Sequence, residues 1–374
     1  MTNPAAQNMR AKMNETVREF CHELFHGKDD KRRTQVMDLL YTTPEGKALL
    51  DIAAQHDVPI RFTRTGNLGV MGSLSKQPED ATVSVAVANT GNVPQMVMTL
   101  YHELRHLQQQ GEMGSIETGV FRSLKNVGRS HILSMMQEAD AFTTEAMFAL
   151  QRKSEGDQQY YDSMMRGAHD LARVSAGYIK KAPVSFDENP DAFRRGLFTH
   201  IMLEGLAGYS AGYFISYAMV FARAETKEDF AATVAAGPEM RMADNDGPMA
   251  SVYGSKYMSK TSMSLAASIF IKTLPLPEQQ ALKLVEKTVR DLPKMTEDEY
   301  QVARETAKAA ALAVYQTDSR DLVYSIEGDN LRAAVATAAI ADTPALRDDF
   351  AKAAARRHGM PRMFQTNKPA SPGF

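Results

Sequence analysis

The sequence predicts an α+β protein in which a small β-sheet and one amphipathic helix are followed by a mostly α-helical C-terminal half. Three observations lead to this prediction. The stretch 82–87 alternates β-branched and small residues, as a strand does. Residues 94–110 follow it with the apolar spacing of an amphipathic helix. From residue 130 onward, long helical patterns dominate the sequence.

The first third of the chain mixes both kinds of element. Pro44 suits the first position of a helix over residues 45–56, and glycines punctuate the segments that follow. The helices predicted here are 14–26 and 45–56, and the strands are 59–63, 68–74 and 82–87. The charged run 28–33 between the two helices is interpreted as a solvated turn.

The later part of the chain is predicted to be helical except for one stretch. Residues 232–260 are rich in Gly, Met, Asp and Ser, and are interpreted as a linker or as a loop over a cleft. We divide the chain into a first region, 1–185, and a helical C-terminal region, 186–374, which could pack as one unit. The predicted helices are 94–110, 130–153, 157–181, 190–223, 260–273, 277–291, 297–316, 329–340 and 345–357.

Composition narrows the class of protein. The 43 basic and 45 acidic residues nearly balance, so no nucleic-acid partner is expected. Cys21 is alone, which excludes a disulfide within the chain, and residues 1–12 have no apolar stretch of signal-peptide length. We therefore expect a cytoplasmic protein, with export by a specialised system left open. The apolar segment 197–221 contains His200 and Glu204, so no membrane span is expected.

The motif that points to chemistry is His-Glu-x-x-His, formed by His102, Glu103 and His106 on the predicted helix 94–110. Residues four apart lie on one face of a helix, so two imidazoles can bind one Zn²⁺ ion. Glu103 would face the open side of the metal, where a carboxylate can act as general base toward a water molecule. This pattern is typical of zinc metallopeptidases of the zincin type.

A second copy of the motif, with His22 and His26, lies near the N-terminus. Zincins place the motif helix after a sheet whose edge strand holds the substrate backbone. The copy at His102 follows three predicted strands, whereas the copy at His22 follows none. We therefore favour the later copy, and expect the strand near 82–88 to be the edge strand.

Catalytic zinc usually takes a third protein ligand. Glu138 lies in an apolar part of the predicted helix 130–153, where an unpaired charge would be costly, so it is the favoured ligand. Glu145, His131 and Asp140 remain as alternatives. Asp140 is more naturally a residue that accepts a histidine N–H, or one that is exposed to solvent.

The chain resembles a bacterial family of metallopeptidases of uncharacterised function and, more distantly, the ImmA/IrrE-type peptidases. The resemblance covers about residues 40–152, and lies in the motif 102–106, the following Gln108 and Gln109, and the run 138–142. It implies that His102, His106 and Glu138 bind Zn²⁺ and that Glu103 is the base. Thr143 stands where the ImmA/IrrE-like pattern has Ala, and the helical C-terminal half is not part of that pattern.

We therefore expect a zinc-dependent metallopeptidase with a peptide or protein substrate. The alternatives are a catalytically inactive binding or regulatory module, and a delivered effector or toxin that acts through its helical half. Tyr160, Tyr161 and Tyr209 are candidate donors to the oxyanion of the reaction. His200 and Glu204 could form a second site, although a satisfied polar pair in the core is the more common outcome for such residues. For Arg105, a structural salt bridge is expected rather than catalysis.

Overall fold

The structure is a computed structural model, and it describes residues 31–64, 72–76, 83–90, 92–112, 124–166, 170–182, 185–236 and 270–317. It confirms the predicted fold class, because a small mixed sheet of three strands is followed by a mostly helical body. The predicted helices 14–26, 329–340 and 345–357 lie outside the described residues, as does the motif copy at His22 and His26.

Two helices and the sheet make up the first part of the molecule. Thr43 caps the second helix by accepting a hydrogen bond from the Gly46 amide at 3.1 Å, and Pro44 follows at its first position. The helices are α1 (Lys31–Tyr41) and α2 (Pro44–Gln55), and the strands are β1 (Ile60–Arg64), β2 (Gly72–Lys76) and β3 (Val83–Asn89).

The strand order is β1-β3-β2, so β3 is the central strand of the sheet. It pairs in parallel with β1, in the register Ile60 to Val85, and antiparallel with β2, in the register Gly72 to Val87. The expectation that the strand near 82–88 is an edge strand is therefore wrong. Alternation and β-branching identified the strand, but these local features do not determine its neighbours.

Two long helices lie next to the sheet. Helix α3 (Val93–Glu112) packs against β2, β3, α1 and α2 on one side and against α4 (Val127–Ser154) on the other. Most side chains of α4 are buried, because α5, α7 and α10 also pack around it. Polar side chains on α4 must therefore find partners inside the protein.

The remaining helices form the helical body. Their bounds are α5 (Gln159–Arg166), α6 (Asp170–Lys181), α7 (Pro190–His200), α8 (Leu206–Arg223), α9 (Lys227–Ala236), α10 (Leu276–Asp291) and α11 (Glu297–Gln316). A π-helical turn, Ile201–Gly205, joins α7 to α8. Helix α8 packs extensively against α11, and a single cluster of buried apolar side chains extends from Val36 to Val314.

Several sequence predictions need correction here. The charged run 28–33 is not simply a turn, because Lys31–Arg33 begin α1 and Arg33 donates to the Phe62 carbonyl at 3.4 Å. The described parts of the predicted helix 157–181 are α5 and α6, and residues 167–169 lie outside the described residues. Residues 232–236, assigned to a loop, end helix α9. Within the part of the chain that the structure describes, none of the helices has the length and apolar composition needed to cross a bilayer.

Candidate metal centre

Helix α3 presents both motif histidines to α4. An i, i+4 spacing places His102 and His106 one turn apart on the same face, and both rings are largely buried. The apolar residues of α3 pack against the sheet and the neighbouring helices, with Leu100, Leu104 and Leu107 fully buried. Packing of the helix therefore determines where the two imidazoles point.

Glu138 of α4 completes a compact group with these rings. The Nε2 atoms of His102 and His106 lie 3.1 Å apart. Oε2 of Glu138 lies 3.4 Å from Nε2 of His102 and 3.4 Å from Nε2 of His106. Among the described residues, this is the one group of three or more His, Cys, Asp or Glu side chains whose ligand atoms converge.

The geometry of this triangle fits a small divalent metal ion. Zinc binds histidine nitrogen and carboxylate oxygen at roughly 2.0–2.2 Å in a tetrahedron, which places the donor atoms roughly 3.3–3.5 Å apart. The three separations given above are close to that value. Oε2 of Glu138 is also buried without a hydrogen-bond partner among the described residues, as expected of an atom that a metal ion would bind. The side chains present therefore fit a metal ion.

Gln109 determines which nitrogen of His106 carries the proton. The Gln109 amide donates to the Gln137 carbonyl at 3.0 Å and to Oδ2 of Asp140 at 2.7 Å. Its oxygen is left to face Nδ1 of His106 at 2.9 Å. An amide oxygen can only accept, so Nδ1 of His106 donates, and Nε2 is the nitrogen that would release its proton to face a metal ion.

His102 is held from two sides. Oε2 of Glu145 lies 3.4 Å from Nδ1 of His102, on the edge of the ring away from the ligand triangle. The Phe142 ring lies against the imidazole, with 4.2 Å between the ring centroids. A carboxylate behind a metal-binding histidine favours the tautomer that presents Nε2 to the metal.

Arg105 has a structural partner, as the sequence analysis expected. Its Nε donates to Oδ2 of Asp140 at 2.6 Å, and both side chains are almost completely buried. Arg105 also donates to Gln108. The same oxygen of Asp140 accepts from Gln109, so this ion pair stands directly behind the residue that orients His106.

Glu103 lies between α3 and strand β2. Its carboxylate is 7% exposed and faces Gly72, where a Cβ atom would come within 2.6 Å of Oε1 of Glu103. The same Cβ would come within 2.7 Å of the Thr99 methyl group. A side chain at this place in the strand would therefore require the Glu103 carboxylate to shift.

The charges of the group depend on one another. Burial raises the pKa of Glu103, and the neighbouring His102 and His106 offset this only in part. Burial alone would lower the pKa of His102, but the carboxylates of Glu138 and Glu145, each 3.4 Å from a ring nitrogen, raise it to about 10. Burial would raise the pKa of Glu138, whereas the charges of His106 and His102 hold it far below its ordinary value. The group therefore holds protons that a metal ion would displace.

The structure brings together the residues favoured by the sequence. His102, His106 and Glu138 form the triangle, while Glu145 and Asp140 support the histidines directly or through Gln109. Asp140 is fully buried, so the alternative of a solvent-exposed carboxylate is wrong.

Four other candidate residues have surroundings away from the triangle, and the side chain of Tyr209 lies outside the described residues. His131 bonds to Ser210. His200 packs beside the Tyr178 ring, and Glu204 is exposed in the π-helical turn. Tyr160 is 1% exposed and packs against Phe148.

Sequence reasoning gave no role to three residues of the site. Gln109 was noted only among the residues that carry the resemblance, although a residue three positions after His106 is its neighbour on the helix. Gly72 was noted only as one of the glycines that separate the predicted segments. Tyr213 of α8, which donates a hydrogen bond to Oε1 of Glu138, gave no signal because it lies 75 positions away.

Comparison with known proteins supports the general class. No curated protein and no solved structure matched the chain. The expected resemblance to the ImmA/IrrE-type peptidases is thus a prediction that no match tests. Residues 12–197, just under half of the chain, match the model of the family described as "Putative metallopeptidase family (DUF6782)", so over this range the chain is similar to a metallopeptidase family.

Proposed function

We propose that the protein is a zinc-dependent peptidase in which His102, His106 and Glu138 hold the metal and Glu103 is the general base. The observation that carries this proposal is the triangle of Nε2, Nε2 and Oε2 atoms, with separations of 3.1, 3.4 and 3.4 Å. Three protein ligands leave one position open, which is the usual arrangement in catalytic rather than structural zinc sites. The family match over residues 12–197 supports the same class of reaction.

When bound, zinc would supply a Lewis acid that activates water and polarises the peptide carbonyl. Glu103 follows His102 directly and is not part of the triangle, so its carboxylate is available for proton transfer. Its pKa is raised by burial, which brings a carboxylate nearer to the pH at which it must accept and return a proton. In this proposal, Glu103 takes the proton of the attacking water and delivers it to the leaving amine.

Strand β2 is the proposed support for the substrate. It is an edge strand of the described sheet, and Gly72 brings it next to Glu103. An extended peptide can add to such an edge through backbone hydrogen bonds. A substrate bound there would run past the carboxylate that is proposed to act as base.

Metal analysis of purified variants tests the ligand assignment. We expect about one zinc ion per wild-type chain, lost in His102→Ala and in Glu138→Ala, because each change removes a ligand atom. His22→Ala is the matched control, since it alters the other copy of the motif, and it should keep the metal. A wild type that takes up no zinc would overturn the proposal, and loss of zinc only in His22→Ala would move the site to the earlier copy.

Glu103→Gln separates catalysis from metal binding. This variant should retain zinc but cleave a mixed peptide library at least about 10²-fold more slowly, because the amide cannot accept the proton. A zinc-loaded wild type that cleaves nothing in the library would favour the inactive binding module instead.

A further inference from the structure

Tyr213 connects the helical body to the candidate metal centre. Its hydroxyl, on α8, donates a hydrogen bond to Oε1 of Glu138. The other oxygen, Oε2, faces the two imidazoles at 3.4 Å. The two oxygens of one carboxylate therefore have separate partners.

The surroundings keep this division in place. Glu138 is 7% exposed, so water has little access to its carboxylate. Turning the carboxylate so that both oxygens face the histidines would break the bond to the Tyr213 hydroxyl within the protein interior, where an unmade hydrogen bond costs more than at the surface. Oε2 is thus left with the histidines.

A second contact fixes α8 against α4. Ser210, one turn before Tyr213, lies 2.8 Å from Nε2 of His131 and donates to Glu278 on α10 at 2.5 Å. Helix α8 is therefore tied to α4 at His131 as well as at Glu138. The contacts of Ser210 with His131 and Glu278 therefore help to hold the Tyr213 hydroxyl in place.

A carboxylate can bind a metal ion through one oxygen or through both. A hydrogen bond to one oxygen favours binding through the other alone, which keeps the coordination number low and a position open for water. We propose that Tyr213 is a positioning residue that restricts Glu138 to coordination through Oε2. This inference rests on the proposed zinc site, and it makes the helical body, beyond the matched residues 12–197, a part of that site.

Tyr213→Phe tests this role, because it removes the hydroxyl and keeps the ring. Two quantities are measured on the full chain: the zinc dissociation constant, by competition with a chromophoric chelator, and the visible absorption of the Co²⁺-loaded protein. We expect zinc affinity to fall about 10–100-fold, the usual cost of losing a partner of a metal ligand. The cobalt band should weaken, because coordination by both oxygens raises the coordination number.

Tyr217→Phe is the matched control. Tyr217 lies one turn further along α8, with its ring 6.1 Å from that of His131, whereas the hydroxyl that donates to Oε1 of Glu138 is that of Tyr213. It should leave both the zinc affinity and the cobalt spectrum as in wild type. A general effect of losing a tyrosine hydroxyl from α8 would appear in both variants.

The outcomes separate the inference from the proposed function. Wild-type affinity and an unchanged cobalt spectrum in Tyr213→Phe would overturn the positioning role and leave the zinc site intact. Lower affinity with an unchanged spectrum would also overturn it, because Glu138 would then coordinate in the same way without the hydroxyl. If wild type binds neither Zn²⁺ nor Co²⁺, the proposed function fails and the inference fails with it.

Discussion

Helix α4 carries two buried clusters of similar composition whose physical character differs. One contains Glu138 with His102 and His106 of α3. The other contains His131, seven residues earlier on α4, with Ser210 of α8 and Glu278 of α10. Both join histidine to a glutamate from another helix, and both lie almost entirely out of contact with solvent.

The cluster at His131 is a chain of hydrogen bonds. Nε2 of His131 lies 2.8 Å from the Ser210 hydroxyl, which in turn donates to Oε2 of Glu278 at 2.5 Å. Because that hydroxyl donates to Glu278, it accepts from the His131 ring, and Nε2 of His131 carries a proton. Each of these two contacts pairs a donor with an acceptor, while Oε1 of Glu278 is buried without a hydrogen-bond partner among the described residues. No second histidine or carboxylate of the described residues converges on this cluster as a ligand group.

The two glutamates therefore differ in charge at neutral pH, since Glu278 holds its proton and Glu138 is ionised. Burial raises the pKa of Glu278 to about 8, with only the Ser210 hydroxyl opposing it. Burial acts on Glu138 in the same direction, but two facing imidazoles reverse its effect and lower the pKa. Histidine and glutamate together do not define a metal site. Converging acceptor atoms, together with a residue that fixes each ring's tautomer, distinguish the cluster at Glu138.

The largest expected effect concerns the ion pair of Arg105 and Asp140, which stands behind the candidate metal centre. Asp140→Asn keeps the shape of the side chain but leaves the buried Arg105 without its counter-charge. Removing one partner of a buried ion pair costs about 3–5 kcal/mol. We expect a loss of that size in the free energy of unfolding, measured by urea denaturation at neutral pH.

Asp51→Asn provides the control for that measurement. Asp51 pairs with Lys47 at 2.5 Å on the surface, and the two side chains are 50% and 46% exposed. Such a pair contributes less than about 1 kcal/mol. Equal losses in the two variants would mean that Arg105 finds another partner, and the ion pair would then not explain how Gln109 is held.

A smaller and more selective effect is expected at Gly72. A Cβ atom there would lie 2.6 Å from Oε1 and 2.8 Å from Cγ of Glu103, so Gly72→Ala should displace the carboxylate. Displacing a catalytic group by about 1 Å can cost about 10²-fold in rate. We expect kcat for a cleaved peptide to fall by about that factor while the zinc content stays unchanged.

Gly177→Ala is the matched control, since a Cβ atom there meets nothing within 4 Å. It should leave both the rate and the metal content unchanged. If Gly72→Ala retains full activity, then Glu103 either yields without harm or is not the base. The Glu103→Gln variant distinguishes these two explanations.

The sequence predicted much of the local structure and the three converging residues. The patterns of apolar and β-branched residues located β1, β3, α3 and α4, and the predicted strand 68–74 overlaps β2 at residues 72–74. The i, i+4 histidines and a carboxylate on an apolar helix indicated the group at Glu138 for physical reasons that need no structure.

What the sequence could not supply depends on distant contacts. The central place of β3 depends on its pairing with β1 and β2. Which of the candidate ligands Glu138 and His131 lies beside the motif histidines depends on the helices that face each end of α4. Tyr213 could not be found because the position of α8 results from packing against α4 and α11. Local patterns carry no information about such contacts.

The last expected effect concerns pH and the protonated state of Glu278. In the unfolded chain this carboxyl has a pKa of 4.5, and in the folded protein about 8. Between these values the folded state holds a proton that the unfolded state has released, so unfolding free energy falls as pH rises from about 4.5 to about 8. Gln cannot titrate, so Glu278→Gln should remove this part of the pH dependence.

The measurement is urea denaturation of wild type and Glu278→Gln at pH values of about 5.5 and 8.5, which bracket most of that titration. Wild type should lose unfolding free energy relative to Glu278→Gln as the pH rises, at about 1.4 kcal/mol per pH unit. Over the whole interval, the difference in unfolding free energy between the two proteins should change by a few kcal/mol. Glu305→Gln is the control, because Glu305 is 55% exposed and its pKa is lowered by Lys308, so it titrates below this range. Parallel pH dependences in wild type and Glu278→Gln would mean that Glu278 is charged in the fold. The chain at His131 would then resemble the metal centre in charge, and convergence of acceptor atoms alone would distinguish the two clusters.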